Sequence, residues 1–190
     1  MDKSYYTYND VHDAATNIVL QMYKDMWQPD YIVGINRGGL PLALRLSHLT
    51  GVRMYTLDVC LRDGGDIGSE SNCWMSEDAF GYEHHKILEH NADISASAGE
   101  PIADIPTSRK NILIVDDIND TGATFNWIKQ DWQSSCLPDD PAWKDIWGNN
   151  VRFATMFEKT NTDFDGVNYT WNTIDTGDQD TWIVFPWEYN

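Results

Sequence analysis

Between Ile112 and Thr124 the chain reads Ile-Leu-Ile-Val-Asp-Asp-Ile-Asn-Asp-Thr-Gly-Ala-Thr, a stretch that combines three chemically useful features. Asp116 and Asp117 stand side by side at the exit of an apolar run. Paired carboxylates at such a place accept from hydroxyls or hold a divalent metal. Asp120 adds a third carboxylate, and Thr121-Gly122-Ala123-Thr124 then opens a helix. N–H groups unpaired at a helix start, a Gly that permits close approach and two hydroxyls make a pocket suited to a phosphate monoester. A phosphorylated polyol meets both demands. The plain alternative is a solvated acidic turn, because carboxylates favour turns and helix first turns anyway. That explains Asp116-Asp117 alone as well as a site does, but composition rarely assembles the whole order.

Other residues offer weaker signals. Arg37-Gly38-Gly39 joins a forked donor for phosphate oxygens to a main chain that a ligand can approach closely, although Arg-Gly-Gly is also an ordinary turn. Lys159 follows an apolar stretch, and Trp182 lies near the C-terminus with Ile183, Trp187 and Glu188. A Trp gives a flat face to a heterocycle or simply fills a core. Cys73 has no evident activating base, and the adjacent His84 and His85 lack a third ligand, so neither a thiol nucleophile nor a metal site is expected there.

These residues need a scaffold. Val11, Ala15, Ile18, Val19, Met22 and Met26 recur at helical spacing between Asn9 or Asp10, taken as the N-cap, and Trp27. Tyr31 to Ile35 reads as a buried strand, the Arg37-Gly38-Gly39 turn follows, and Leu40 to Leu49 resumes a helical pattern. Val52 to Leu61 is strand-like, and from 62 to 109 the pattern dissolves into a long loop or insert. Asn111 to Val115 is a fully apolar strand and a helix runs from about Ala123 to Gln133. A second insert, 136–150, is rich in Trp and Pro and serves as an oligomer contact or a local cover. Val151 to Phe157, Asn168 to Ile174 and Trp182 to Phe185 complete the strands. The alternation predicts a single α/β domain over 1–190, with a mainly parallel sheet flanked by helices and ligands at the carboxyl ends of its strands.

The chain has 190 residues, 42% of them apolar, with a formal net charge of −17. That charge repels phosphate backbones and anionic lipid, so no nucleic-acid partner is expected. No apolar run is long enough to cross a membrane, and Cys60, Cys73 and Cys136 suit a reducing cytoplasm better than a disulfide framework.

The order of apolar strand, two acids, short spacer and Asp-Thr-Gly with a further Thr resembles the signature of the type I phosphoribosyltransferases, and it is complete from Ile112 to Thr124. The resemblance implies that fold, with a small hood at about 160–190, and binding of 5-phosphoribosyl-1-pyrophosphate with Mg2+. It places Asp116 and Asp117 on the ribose hydroxyls and metal, and Asp120, Thr121, Gly122, Ala123 and Thr124 around the 5-phosphate. Asp120 would also take the proton at purine nitrogen 7. Ile32 to Gly39 looks like the family's pyrophosphate loop, with Arg37, Gly38 and Gly39 at the leaving group and a non-proline cis bond expected at Asn36–Arg37. Trp182 to Glu188 is similar to the hood of the 6-oxopurine enzymes, the xanthine-guanine and hypoxanthine-guanine phosphoribosyltransferases. There Trp182 would stack on the base, the Ile183 backbone would read its edge, and Glu188 would support metal-pyrophosphate. Lys159 would donate to the oxygen at carbon 6, or else remain a surface lysine. The Ser-Tyr pair of many family members is missing from 62–109. The expectation is a Mg-dependent purine phosphoribosyltransferase, cytoplasmic and assembled as a dimer or tetramer, with small-molecule partners only. Two alternatives stand beside it: a non-catalytic regulator retaining the phosphoribosyl pocket, and a receiver or phosphatase built on paired carboxylates.

Overall fold

The computed structural model describes residues 3–62, 65–66, 68–82, 108–175 and 182–188. Much of the 62–109 insert, His84 and His85 included, and positions 176–181 of the expected hood lie outside the described residues.

A short strand, β1 (Lys3–Tyr5), precedes helix α1 (Tyr8–Lys24). Thr7, not Asn9 or Asp10, is the N-cap: the Thr7 hydroxyl accepts from the Asp10 N–H at 3.3 Å while the Asp10 carboxylate accepts from the Thr7 N–H at 2.7 Å. Asp10 is thus the reciprocal arm of a capping box. Strand β2 (Tyr31–Asn36), helix α2 (Leu40–Thr50) and strand β3 (Met54–Asp58) follow. Pro41 suits the first turn of α2, and Gly51, at φ 72°, ends it in the left-handed conformation.

Strands β4 (Leu61–Arg62) and β5 (Gly65–Asp66) form a small antiparallel pair. Helix α3 (Cys73–Phe80) was unexpected inside the insert. It forms because Met75, Ala79 and Phe80 bury one face against the core and Gly81, at φ 75°, closes its end. Strand β6 (Ile112–Asn119), helices α4 (Ala123–Ser135) and α5 (Trp143–Ile146), and strands β7 (Val151–Lys159), β8 (Val167–Ile174) and β9 (Trp182–Val184) complete the order.

Five strands form one parallel sheet in the order β3-β2-β6-β7-β8, and β1 pairs with β9 in a separate two-stranded sheet. The central strands are apolar along nearly their whole length because both faces are covered. Adjacent residues alternate between the layers. Ile32 and Leu113 meet α1 and α2, while Val33 and Ile114 meet the layer containing α3, α4 and α5. Trp143 and Ile146 of the second insert are buried in that second layer, and Trp143 Nε1 donates to Cys136 O at 2.9 Å. These residues of the insert therefore cover that layer of the core. Truncating Trp143 to Ala is expected to cost about 3–5 kcal/mol. No described helix is long and apolar enough to cross a membrane.

Candidate active site

The strand order places the site. From β2 the chain moves outward to β3, and β6 then returns on the opposite side of β2. Connections leaving β2 and β6 diverge, which opens a crevice at their carboxyl ends. The β2–β6 ladder stops at Gly34 opposite Val115. On its other edge β6 stays paired with β7, with Asp116 opposite Thr155 and Asn119 opposite Glu158. The strand thus runs to Asn119 instead of ending at Val115, and the acid pair lies within its last turns of pleat and not beyond them.

The loop after β2 closes onto that acid pair. Its Asn36–Arg37 peptide is cis, as the resemblance implied, and the Gly39 N–H donates to Ile35 O at 3.0 Å. A Cβ on Gly39 would lie 2.3 Å from Val115 O, and one on Gly38 would lie 2.2 Å from Asp117 Oδ2. Both glycines are needed for contact between the loop after β2 and strand β6. Arg37 is exposed at the rim, and the Asn36 amide donates to Asp58 Oδ1.

Residues 116–125 line a cavity of about 240 Å³. Gly122, at φ 85°, turns the chain into α4, which has no side-chain cap. The Ala123 N–H reaches Thr121 Oγ1 at 3.3 Å, and the following first-turn N–H groups have no partner within the helix. This end of the cavity offers donors to an anion. Its other end is acidic. Burial and the neighbouring Asp117 charge hold the Asp116 carboxyl well above the usual carboxylate range. Burial, with a contribution from the Glu188 charge, pushes Asp117 up to about 6. Groups that donate hydrogen bonds or carry positive charge would relieve that cost.

These oxygens suit a hard cation, but among the described residues no three His, Cys, Asp or Glu form a metal-binding group. Mg2+ commonly takes one or two carboxylates, with substrate phosphates and water supplying the rest, so Asp116 and Asp117 fit it as a partial ligand set. Glu188 is exposed, and its carboxylate accepts the Phe185 N–H at 3.0 Å.

Lys159, expected just past its strand, is instead the last residue of β7, and its Nζ lies 2.5 Å from Asp120 Oδ1. A donor-only group and an acceptor are thereby held side by side at the cavity mouth. Trp182 is 54% exposed and Ile183 half-buried; β1 fixes them, Lys3 lying opposite Trp182 and Ser4 opposite Ile183. Trp187 stacks on Phe185, with ring centres 4.8 Å apart.

Sequence reasoning missed Asn119, which lines the cavity, and Thr162 and Phe164, which hold Asn119 from behind. Asn119 is 2% exposed and its amide Nδ2 donates to Phe164 O at 3.0 Å. A polar residue at the end of a buried strand was the available signal, since a buried amide must find partners.

Residues 3–190 match the family described as Phosphoribosyl transferase domain. A xanthine-guanine phosphoribosyltransferase of Roseobacter denitrificans is 33% identical over 159 residues, 83% of this chain and 67% of that protein. Among solved structures, a purine phosphoribosyltransferase from Pyrococcus horikoshii superposes with a TM-score of 0.60 at 24% identity, covering 100% of this chain and 96% of the other. The xanthine-guanine-hypoxanthine phosphoribosyltransferase of Helicobacter pylori gives 0.58 at 20% identity, covering 98% and 92%.

Proposed function

The chain belongs to the phosphoribosyltransferase family, and from that premise we propose that it joins a 6-oxopurine to 5-phosphoribosyl-1-pyrophosphate, giving the nucleoside monophosphate and pyrophosphate. The observation that carries this reading is the meeting of the Gly38-Gly39 loop with Asp117 at the β2–β6 crevice, beside an uncapped helix start. Pyrophosphate, ribose diol and 5-phosphate need those three features next to one another. The relative from Roseobacter, named for xanthine and guanine, supports the choice of base.

In this reading the first-turn N–H groups of α4 and the hydroxyls of Thr121 and Thr124 hold the 5-phosphate. Asp116 and Asp117 accept from the ribose hydroxyls and fix the ring. Arg37 and the N–H groups of Gly38 and Gly39 receive the pyrophosphate. As the bond from the sugar carbon to pyrophosphate breaks, positive charge grows on the ribose, and the acid pair stabilises it without a covalent enzyme intermediate. The new bond forms from a ring nitrogen of the base, and the displaced proton passes to Asp120. Lys159 donates to the oxygen at carbon 6, while Trp182 and the Ile183 backbone receive the ring. The Lys159–Asp120 spacing supports this assignment, because purine nitrogen 7 and the carbon-6 oxygen present a donor and an acceptor on one edge. Mg2+ held by Asp116 and Asp117, with Glu188 assisting, would neutralise the pyrophosphate.

The strong overall acidity does not prevent capture of a polyanion, since dispersed surface charge is screened beyond roughly 8 Å at physiological salt. The partners are small molecules and neither nucleic acid nor membrane. We assign the chain to the cytoplasm from its free cysteines, and to a dimer or tetramer from the exposed Leu20, Tyr23, Leu44 and Leu49 on α1 and α2.

The test is a panel of guanine, hypoxanthine, xanthine, adenine, uracil and orotate with the activated sugar and Mg2+, following pyrophosphate release. Release is expected with 6-oxopurines and not with the pyrimidines. Tight binding of the sugar without release from any base would favour a non-catalytic sensor.

A further inference from the structure

The segment after β7 returns across the back of the cavity and grips it at several points. Thr162 Oγ1 donates to Asn119 Oδ1 at 3.2 Å, and Asn119 Nδ2 donates to Phe164 O at 3.0 Å. The Asp163 N–H donates to Thr121 O at 3.0 Å, and Asn126 Nδ2 donates to Asp163 O at 3.1 Å. Gly122 is pressed against the same segment, for a Cβ there would lie 2.6 Å from Phe164 N and 2.9 Å from Thr162 Oγ1. Phe164 is buried against Phe125 and Phe153, which ties the segment to α4 and to β7.

We propose that Asn119 and Thr162 form a clasp that positions the Thr121–Thr124 loop for the sugar phosphate, an inference that rests on the 5-phosphate role given to that loop above. Thr162 lies outside the cavity lining, and Asn119, although it lines the cavity, has both side-chain polar atoms engaged by Thr162 and Phe164, so each acts through the loop as a positioning residue. The reason a clasp is needed lies in the local geometry. A loop with a left-handed Gly and no side-chain cap has few internal restraints, yet its donors must converge on one anion. Asn119 uses its carbonyl toward Thr162 and its amide toward Phe164, so one side chain fixes both the start of the loop and the segment behind it. Strand β7, which ends in Lys159, continues directly into this segment. The proposed base contact and the proposed phosphate contacts are therefore carried by one framework.

The test uses Thr162→Val, which keeps the shape and removes one hydroxyl, with Asn119→Leu as the stronger variant and Thr162→Ser as the conservative control. Ribose 5-phosphate binding is measured by titration, amide hydrogen exchange is followed at Thr121 to Thr124, and KM is measured for the sugar and the base separately. Thr162→Val should weaken ribose 5-phosphate about threefold to tenfold, speed exchange in the loop and raise KM for the sugar but not for the base. Thr162→Ser should restore wild-type values. Should Asn119→Leu fail to fold, Thr162→Val carries the test alone. Unchanged affinity and exchange in Thr162→Val would overturn the clasp, as would an equal rise in both KM values. Failure of wild-type protein to bind ribose 5-phosphate would overturn the phosphate role itself, and it shows before any variant is compared.

Discussion

The two ends of the crevice are built differently. Around the proposed sugar site every piece is held by several others: Asp117 touches the Gly38 loop, Gly39 lies on the β6 backbone, and Gly122 is wedged against Phe164. At the proposed base site, Trp182 is 54% exposed and sits on a three-residue strand whose ladder is shared with β1. The sugar end relies on main-chain donors and on half-buried carboxylates carried by β6, which cannot be displaced without moving the backbone. The base end relies on one flat ring and one lysine, which side-chain changes can alter freely. A reaction that needs one activated sugar, while its base can vary, is suited to this division.

Variants can set the two ends against each other. Asp116→Asn combined with Asp117→Asn should lower transfer by about 10³-fold or more while far-ultraviolet circular dichroism stays unchanged; full activity would contradict the ribose role. Next in size is a crossed pair. Thr124→Val should raise KM for the sugar about tenfold and leave the base, whereas Trp182→Ala should weaken the base by a similar factor and leave the sugar. Steady-state kinetics with each substrate varied in turn would show the crossing, and reversed rankings would dissolve the distinction between the ends. A smaller change is expected for Lys159→Ala, which should narrow the preference for oxo over amino purines several-fold; an unchanged guanine-to-adenine ratio would return Lys159 to a structural role as the partner of Asp120.

The last effect falls on stability and not on transfer, and it concerns pH at the sugar end. Burial raises Asp117 to about 6, so the folded chain holds that proton more tightly than the unfolded chain does. Its contribution is complete below about pH 4 and is lost as pH rises through about 6. In metal-free protein Asp117→Asn should remove this loss, on the order of 1–3 kcal/mol, so its thermal midpoint should fall less than wild type between pH 4 and 8. Trp182→Ala removes no acid, so it should leave that pH dependence as it is in wild type.

Much of the framework was readable in advance because its signals are local. Three apolar strands that are neighbours in the sheet, the Gly39 and Gly122 turns and the acid pair each follow from a few neighbouring residues, and all lie close to where the periodicity puts them. The N-cap of α1 was displaced to Thr7 because a capping box reads alike from either arm when only the acid is noticed. Helix α3 escaped because its buried face is short and surrounded by polar sequence. Strand β6 outran its apolar run because β7 continues to bond its far edge through Asp116 and beyond.

Residue order alone established the parallel sheet, the paired carboxylates and the phosphate-suited helix start, since side-chain period and backbone conformation are properties of adjacent residues. The ion pair of Lys159 with Asp120, the pressing of Gly38 on Asp117, the support of β9 by β1 and the Asn119–Thr162 link arose only when the chain packed. Each joins positions far apart along the chain or meeting across a turn, and no local period records which of many polar residues will be brought within hydrogen-bonding distance.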